Sequence, residues 1–475
     1  MQTTRENGML VVTLLCTALC ANFMLVAGHD FQRVVEIVTL LCVGAWLLAS
    51  RSDVAGRLFA GAAGKMLAVF FLLGMLSSIQ AREPRLAAFE TSVFFLLYAV
   101  AIAAGAEIAK RGLPALLRIL QVVAIAGALY TIKFFAAYFG SFYLDIALAA
   151  DDFTPGFSNI RFFNHVQTST LPLLVLLCSL TPRASRLRWL WLAVTAYWWM
   201  ALYATTARGT LAGMAAACAA AAFLLRGAAL PYLRQVGLTA MLGVVGYVVL
   251  LVIVPALLGA QGIGAFTFAV ERTVTDPASG RLPLWHQAVT LILQHPLLGV
   301  GPMHFAHFGR PVHQGAHPHD WLLQIASEWG LPALVCLLAA IAIVLRALVR
   351  AARQVDAHDR NNRAVAAALL VGAVAILVDG TVSGIIVMPQ SQLGIALYLA
   401  CATGWYRTVV PVTQVSGAGG TARLVGAVLV VATMAGLANL LPDGLARLRA
   451  EPLSPALEAV NAGPSWPRLW KEGYF

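Results

Sequence analysis

The chain reads as an all-α, polytopic integral membrane protein with roughly 12–13 transmembrane helices. Three observations predict that class. Of its 475 residues, 60% are hydrophobic and 11% charged, whereas a soluble chain is nearer half apolar and a quarter charged and so has enough polar surface to coat itself. Apolar runs of about 20 residues, the length that crosses roughly 30 Å of hydrocarbon as helix, recur along most of the sequence. A lipid-embedded backbone must satisfy its own hydrogen bonds, so such runs mean helices, and the ten-residue alternation of an outer-membrane barrel is absent.

In chain order the spans fall near 9–27, 34–49, 58–79, 86–109, 115–138, 166–181, 188–205, 208–225, 236–259, 321–346, 364–388, 390–406 and 421–441. The organisation is therefore N-terminal transmembrane helices over 1–259, a large loop with short helices over 260–320, C-terminal transmembrane helices over 321–441, and a tail, 442–475, too short for a domain of its own. The stretch Met9–Gly28 follows a short polar start and lacks an A-x-A cleavage site, so it reads as a retained first span. All seven cysteines (Cys16, Cys20, Cys42, Cys178, Cys218, Cys336, Cys401) lie inside apolar runs, which argues against a disulfide framework.

The formal net charge of +11 does not mark a nucleic-acid partner, because the basic residues sit in short loops between spans. Arg51 and Arg57, then Lys110, Arg111 and Arg118, then Arg183, Arg186 and Arg188, then Arg226 and Arg234, then Arg346 to Arg363 fall on one face. The positive-inside rule makes that face cytoplasmic. The N-terminus then starts inside, and 140–165 and 260–320 lie outside, which in a bacterium is the periplasm of an inner-membrane protein.

Basic residues on the outer side are informative because the same rule depletes them there. Arg161 lies in Arg161-Phe-Phe-Asn164-His165-Val-Gln167 before an inward-going span, Arg208 in the turn Thr205-Thr206-Ala-Arg208-Gly209-Thr210, and Arg281 before Leu282-Pro283. A proline in the first turn predicts a helix over Leu284–Gln294, broken at His295-Pro296. Each arginine thus sits at or just before a helix N-terminus, where free N–H groups and the dipole favour anions, and its guanidinium is a fork suited to phosphate oxygens. Converging, the three would grip a pyrophosphate without a metal; separately, each would anchor a loop or snorkel.

Seven of the ten histidines lie in the outer loop, and His317-Pro318-His319-Asp320-Trp321 opens a long helix with Asp320 as its cap. A helix N-terminus disfavours imidazolium, so His319 is expected to be neutral, the form a general base needs. The histidine spacings carry little metal signal, since H-E-x-x-H is absent and carboxylate partners are scarce, and no metal or other cofactor is expected. Asp379, near the outer end of a late span, calls for an arginine or the His319 region as partner. Glu36, Glu90 and Glu107 receive no role, and Trp285, Trp321, Trp329 and Tyr203 read as interfacial belt residues.

At this point the residues resemble the superfamily of bacterial O-antigen ligases and polymerases. The resemblance rests on Arg161-x-x-Asn164, Ala207-Arg208-Gly209, Arg281 with Trp285 leading into His295-Pro296-Leu297-Leu298-Gly299-Val300-Gly301, and His317-Pro318-His319-Asp320 followed by Gly330. These motifs occupy 161–332. In the ligase branch the signature histidine is followed by a small polar residue and, eleven positions on, a glycine, a spacing that fits His319 and Gly330 better than His317; Asp320 stands where Asn, Ser or Gln is usual. The resemblance implies a membrane glycosyltransferase of the GT-C kind. It would transfer O-antigen from undecaprenyl pyrophosphate to lipid A–core oligosaccharide, with inversion and without a metal. His319 would be the base, Arg208 and Arg281 the pyrophosphate clamp, and Arg161 its support, with His317, Asn164, Gln167 and Asp379 as supporting candidates. A polymerase using a second lipid-linked glycan as acceptor, and a transporter of the same lipid, remain the alternatives.

Overall fold

The computed structural model describes residues 9–24, 28–50, 58–146, 153–260, 274–275, 278–309, 315–410, 420–450, 467–471 and 473–475. Among them there is no strand, and every predicted span contains a helix. The helices of the bundle are α1 Met9–Met24, α2 His29–Ala49, α3 Gly61–Gln80, α4 Pro84–Arg111, α5 Leu113–Tyr143, α6 Ile160–Leu180, α7 Leu187–Ala204, α8 Arg208–Leu225 and α9 Leu230–Leu257. After the loop region, with α10 Leu282–Gln294 and α11 Phe305–Gly309, come α12 Trp321–Trp329, α13 Leu331–Gln354, α14 Arg360–Gly380, α15 Pro389–Val409, α16 Gly420–Ala438 and α17 Leu441–Ala450. The protein is an all-α polytopic membrane protein.

Among the described residues, ten helical stretches are long and apolar enough to cross a bilayer by length and composition alone. The three bundle helices that fall short are α1, with 16 residues, and α7 and α15. For α15 the reason is burial: Gln390, Ser391 and Gln392 open it and are all buried, so this helix meets protein rather than lipid and need not be apolar all round.

Several boundaries differ from the sequence reading, and two of them bear on the site. The long helix expected after His319 is two helices, because Gly330 adopts φ 91° between α12 and α13. The span expected from 166 begins at Ile160, where Asn159 Oδ1 caps the Arg161 N–H at 2.8 Å. The polar run Asn164–Thr170 is therefore helical and buried.

The basic ends of the helices gather opposite the motif-bearing ends. Arg353 donates to the Leu224 carbonyl at the foot of α8, and Arg188 to the Cys178 carbonyl at the foot of α6; Arg51 and Arg57 lie outside the described residues. At the other end, Phe153 is fully buried and stacks on Phe134 of α5 with ring centroids 4.5 Å apart, which ties the loop before α6 to the bundle. Gly213 of α8 lies so close to α14 that a Cβ would meet the Ala375 carbonyl at 3.0 Å. That close approach sets the start of α8 beside Asp379.

Candidate active site

A cavity of about 780 Å³ opens at the motif-bearing end. The starts of α6, α8 and α10, the loop before α12 and the end of α14 wall it, and Arg161, Arg208, Arg281, Asn164, His317, His319 and Asp379 all line it. Gln167 does not: it is fully buried one turn deeper, bonded to the Trp198 carbonyl (2.7 Å) and accepting from Asn164 Nδ2 (2.9 Å). Three arginines face one lining carboxylate, so the cavity carries a surplus of positive charge.

The arginines reach the cavity by different local routes. Arg161, in the first turn of α6, donates to the carbonyls of Thr205 (2.9 Å) and Thr206 (3.1 Å). Thr206 holds φ 51°, a left-handed conformation costly for a β-branched residue, so Arg161 braces the strained turn that delivers Arg208. Arg208 opens α8 and bonds Ser279 Oγ, linking that helix to the segment before Arg281. Arg281 precedes α10, whose first turn holds Pro283 as the sequence predicts. Neither α8 nor α10 has a side-chain N-cap, and Gly209 and Thr210 in the first turn of α8 and Pro283 and Leu284 in that of α10 line the cavity.

His319 sits one residue before Asp320, which caps α12 by accepting from the N–H groups of Leu322 (2.8 Å) and Leu323 (3.1 Å). The cap forms as the sequence predicts. His319 is half-buried on the cavity wall, with φ 54°. Its backbone N–H donates to His317 Nδ1 at 3.3 Å, and the two rings lie 4.0 Å apart. That bond leaves Nε2 of neutral His317 as the protonated nitrogen. His317 is 4% exposed and packs against Gly384, where a Cβ would meet its ring at 2.4 Å. Desolvation, with the nearby Arg281 charge second, pushes the His319 imidazole down to about 3. Burial lowers His317 too, with His319 and then Arg468 as further causes.

The His295–Gly301 motif acts on the backbone. It wraps the C-terminal end of α12: Val300 N–H donates to the Ser327 carbonyl (2.9 Å), Gly301 N–H to the Glu328 carbonyl (3.0 Å), and Leu331 N–H to the Pro296 carbonyl (2.9 Å). The first two satisfy carbonyls that the end of α12 leaves open, and the third ties the start of α13 to the motif. Gly299 and Gly330 are required by the approach, since a Cβ on either would lie 2.4 Å or less from opposing backbone, and both have positive φ. We expect Gly330→Ala to destabilise the fold by about 3 kcal/mol. A thermal melt of purified protein checks this, and an unchanged midpoint would contradict the close packing.

Asp379 accepts from Thr168 Oγ1 (2.6 Å) and Thr210 Oγ1 (3.2 Å), so hydroxyls of α6 and α8 hold it where an arginine or the His319 region was expected. Arg281 is near enough for its charge to act on it. Trp321 and Trp329 are packed inside and do not form a belt: Trp321 Nε1 donates to the Leu377 carbonyl (3.1 Å), and Trp329 stacks on Phe70 at 4.6 Å. Trp285 Nε1 bonds the Pro318 carbonyl (3.1 Å), which fastens α10 to the histidine loop. His286 and His295 are exposed, His304 is buried and accepts from the Glu83 N–H (2.9 Å), and His313 lies outside the described residues. Sequence reasoning passed over His165 and Ser383, both at the cavity, and Pro467, which reaches it from the tail. A histidine beside Asn164 in a polar run was the available signal for the first; nothing local marked the others. Among the described residues no group of three His, Cys, Asp or Glu side chains gathers as metal ligands would.

Residues 173–338 match the protein family described as O-antigen ligase. The matched stretch contains Arg208, Arg281, His317, His319 and Gly330, begins after Arg161 and Asn164, and ends before Asp379. The comparison with curated proteins gives no match.

Proposed function

We propose that this chain, which carries the domain of the O-antigen ligase and polymerase family over 173–338, is the ligase. It moves a finished O-antigen chain from undecaprenyl pyrophosphate to lipid A–core oligosaccharide on the periplasmic face of the inner membrane. One observation carries the reading: three arginines and a neutral histidine share one cavity at one end of the bundle. The lining charges, three arginines against Asp379, leave two positive charges, and a pyrophosphate diester brings two negative ones.

The acceptor hydroxyl oxygen attacks the anomeric carbon of the donor sugar as the bond from that carbon to the pyrophosphate oxygen breaks. Attack from the opposite face inverts the centre. The hydroxyl proton passes to a ring nitrogen of His319, and undecaprenyl pyrophosphate leaves with the bonding electrons. Arg208 and Arg281, aided by the uncapped starts of α8 and α10, hold the charge that develops on the leaving oxygen. His317 orients His319, and Arg161 and Asn164 brace the turn before Arg208. Neither role calls for a metal.

The test uses protein purified in detergent with EDTA, undecaprenyl-pyrophosphate-linked O-chains and lipid A–core free of O-antigen, with products followed on gels. A ladder on lipid A–core is expected. Longer chains still on undecaprenyl pyrophosphate would make the protein a polymerase, and no change in either lipid would reopen transport.

The charge balance also predicts a pH signature. In the free enzyme burial and then Arg281 hold His319 low, so it stays neutral and competent until strongly acidic pH. A bound pyrophosphate offsets the arginines and lifts the imidazole towards its ordinary value of about 6.5. The acid limb of kcat, which reports the enzyme–donor complex, is therefore expected at higher pH than that of kcat/KM, which reports the free enzyme. Coincident or reversed limbs would remove this coupling.

A further inference from the structure

The described parts of the tail, 467–471 and 473–475, are docked into the motif-bearing end of the bundle. Arg468 is 2% exposed, and its guanidinium bridges two buried carboxylates: Glu90 of α4, both oxygens at 2.9 Å, and Glu328 of α12, at 2.9 and 2.7 Å. The backbone around it is gripped as well. The Arg468 carbonyl accepts from Arg33 of α2 (3.0 Å), His29 lies 3.3 Å from the Leu469 carbonyl, and Asp30 accepts from the Lys471 N–H (2.7 Å). Pro467 lines the catalytic cavity itself.

What the clamp holds is the helix that directly follows the histidines. With nine residues, α12 is too short to persist without tertiary support. Its N-terminal side leads back through Asp320 to His319, and its C-terminal side ends in Glu328 and Trp329. Glu328 also accepts from the Phe305 N–H of α11 (3.0 Å), so one carboxylate joins the tail, α11 and α12. Without Arg468, two carboxylates would be left buried beside each other, an arrangement that repels itself and pushes the helix away.

We propose that Arg468 is a positioning residue for the transfer reaction: docked between Glu90 and Glu328, it fixes α12 so that His319 meets the cavity. This rests on the ligase reading for its catalytic consequence, and on geometry alone for its structural one. Arg161 on α6 and Arg208 on α8 lie outside the clamp's own contacts, and Arg281 before α10 is linked to it only through α12 and the Trp285–Pro318 bond. Loss of Arg468 should therefore lower turnover and spare donor binding.

The experiment compares the full-length chain with Arg468→Met, Arg468→Lys and the double variant Arg468→Met/Glu328→Gln. Hydrogen exchange is followed over 315–329, and kcat and donor KM are measured together. Arg468→Met is expected to exchange about tenfold faster across α12 and to lose kcat by about 10²-fold, the scale of a roughly 1 Å misplacement. Donor KM should stay within about threefold, since its phosphate contacts are kept. Adding Glu328→Gln should restore about tenfold of the lost kcat, because it removes one uncompensated buried charge. Arg468→Lys, which keeps the charge but loses the fork, should fall between and stands in if Arg468→Met does not fold. Unchanged exchange over α12 in a folded variant, or a drop in melting temperature with kcat per folded molecule intact, would overturn the proposal. If the wild type transfers no glycan, the exchange result still decides the clamp while the ligase reading fails alone.

Discussion

His319→Ala is expected to lower kcat by about 10³-fold while donor affinity changes little. The argument rests on separation of tasks. The pyrophosphate is to be held by guanidinium groups and by the open starts of α8 and α10, none of which needs the His319 ring. The acceptor proton has to leave as the glycosidic bond forms, and of the three histidines lining the cavity His319 is the one that is not buried, its backbone braced by His317. His317→Ala should cost less, about tenfold to 30-fold, because His317 acts through a hydrogen bond to the His319 backbone and through packing on Gly384. Its loss would loosen the base without removing it. Single-turnover transfer with saturating donor, beside equilibrium binding of the donor, separates the two effects. Wild-type transfer by His319→Ala would sink the assignment of the base. A deeper loss for His317→Ala than for His319→Ala would move the role to His317.

How much of this was legible from residues alone follows the range of the interactions. Local signals worked: Pro283 placed the start of α10, Asp320 capped α12, and the apolar runs located the bundle helices. The start of α6 was placed six residues late because Arg161 to His165 looks like loop. The polar groups from Asn164 to Thr170 are buried against α7, α8 and α14, as the Asn164–Thr205 and Thr168–Asp379 bonds show, and tertiary partners override the hydropathy on which a span is read. Gly330 was noticed for its spacing but not for its conformation; the opposing Leu297 carbonyl that forces a glycine there comes from a segment more than thirty residues earlier. The tail clamp was invisible for the same reason, since Arg468 meets Glu328 and Glu90 across 140 and 378 residues. Glu90 looked like an unassigned acid in a span, and only the fold brings its counter-charge. The aromatic residues misled in the opposite sense: Trp321 and Trp329 have the composition of an interfacial belt and the packing of a core.

Arg281→Gln is the substitution that should change both rate and pH dependence. Of the three arginines it is the one whose charge acts on His317, His319 and Asp379 alike, which places it between the base and the clamp. Arg161 spends hydrogen bonds on the Thr205–Thr206 turn, and Arg208 is tied to Ser279. Removing Arg281 withdraws a preorganised charge from the developing pyrophosphate, which should cost about 10²- to 10³-fold in kcat. It should also raise donor KM, because the same contact exists before the transition state. In the free enzyme the loss of a neighbouring positive charge lets the His319 imidazole rise from its depressed value. The acid limb of kcat/KM should therefore shift to higher pH and approach that of kcat. Arg281→Lys keeps the charge, so it should keep the low acid limb while losing part of the rate with the bidentate fork. Full pH–rate profiles of both variants decide the matter. A rate loss in Arg281→Gln with no movement of the limb would mean that Arg281 holds phosphate but stands apart from the base. A kcat within about twofold of wild type would remove Arg281 from the clamp, and the surplus charge of the cavity would then serve the acceptor's own phosphates.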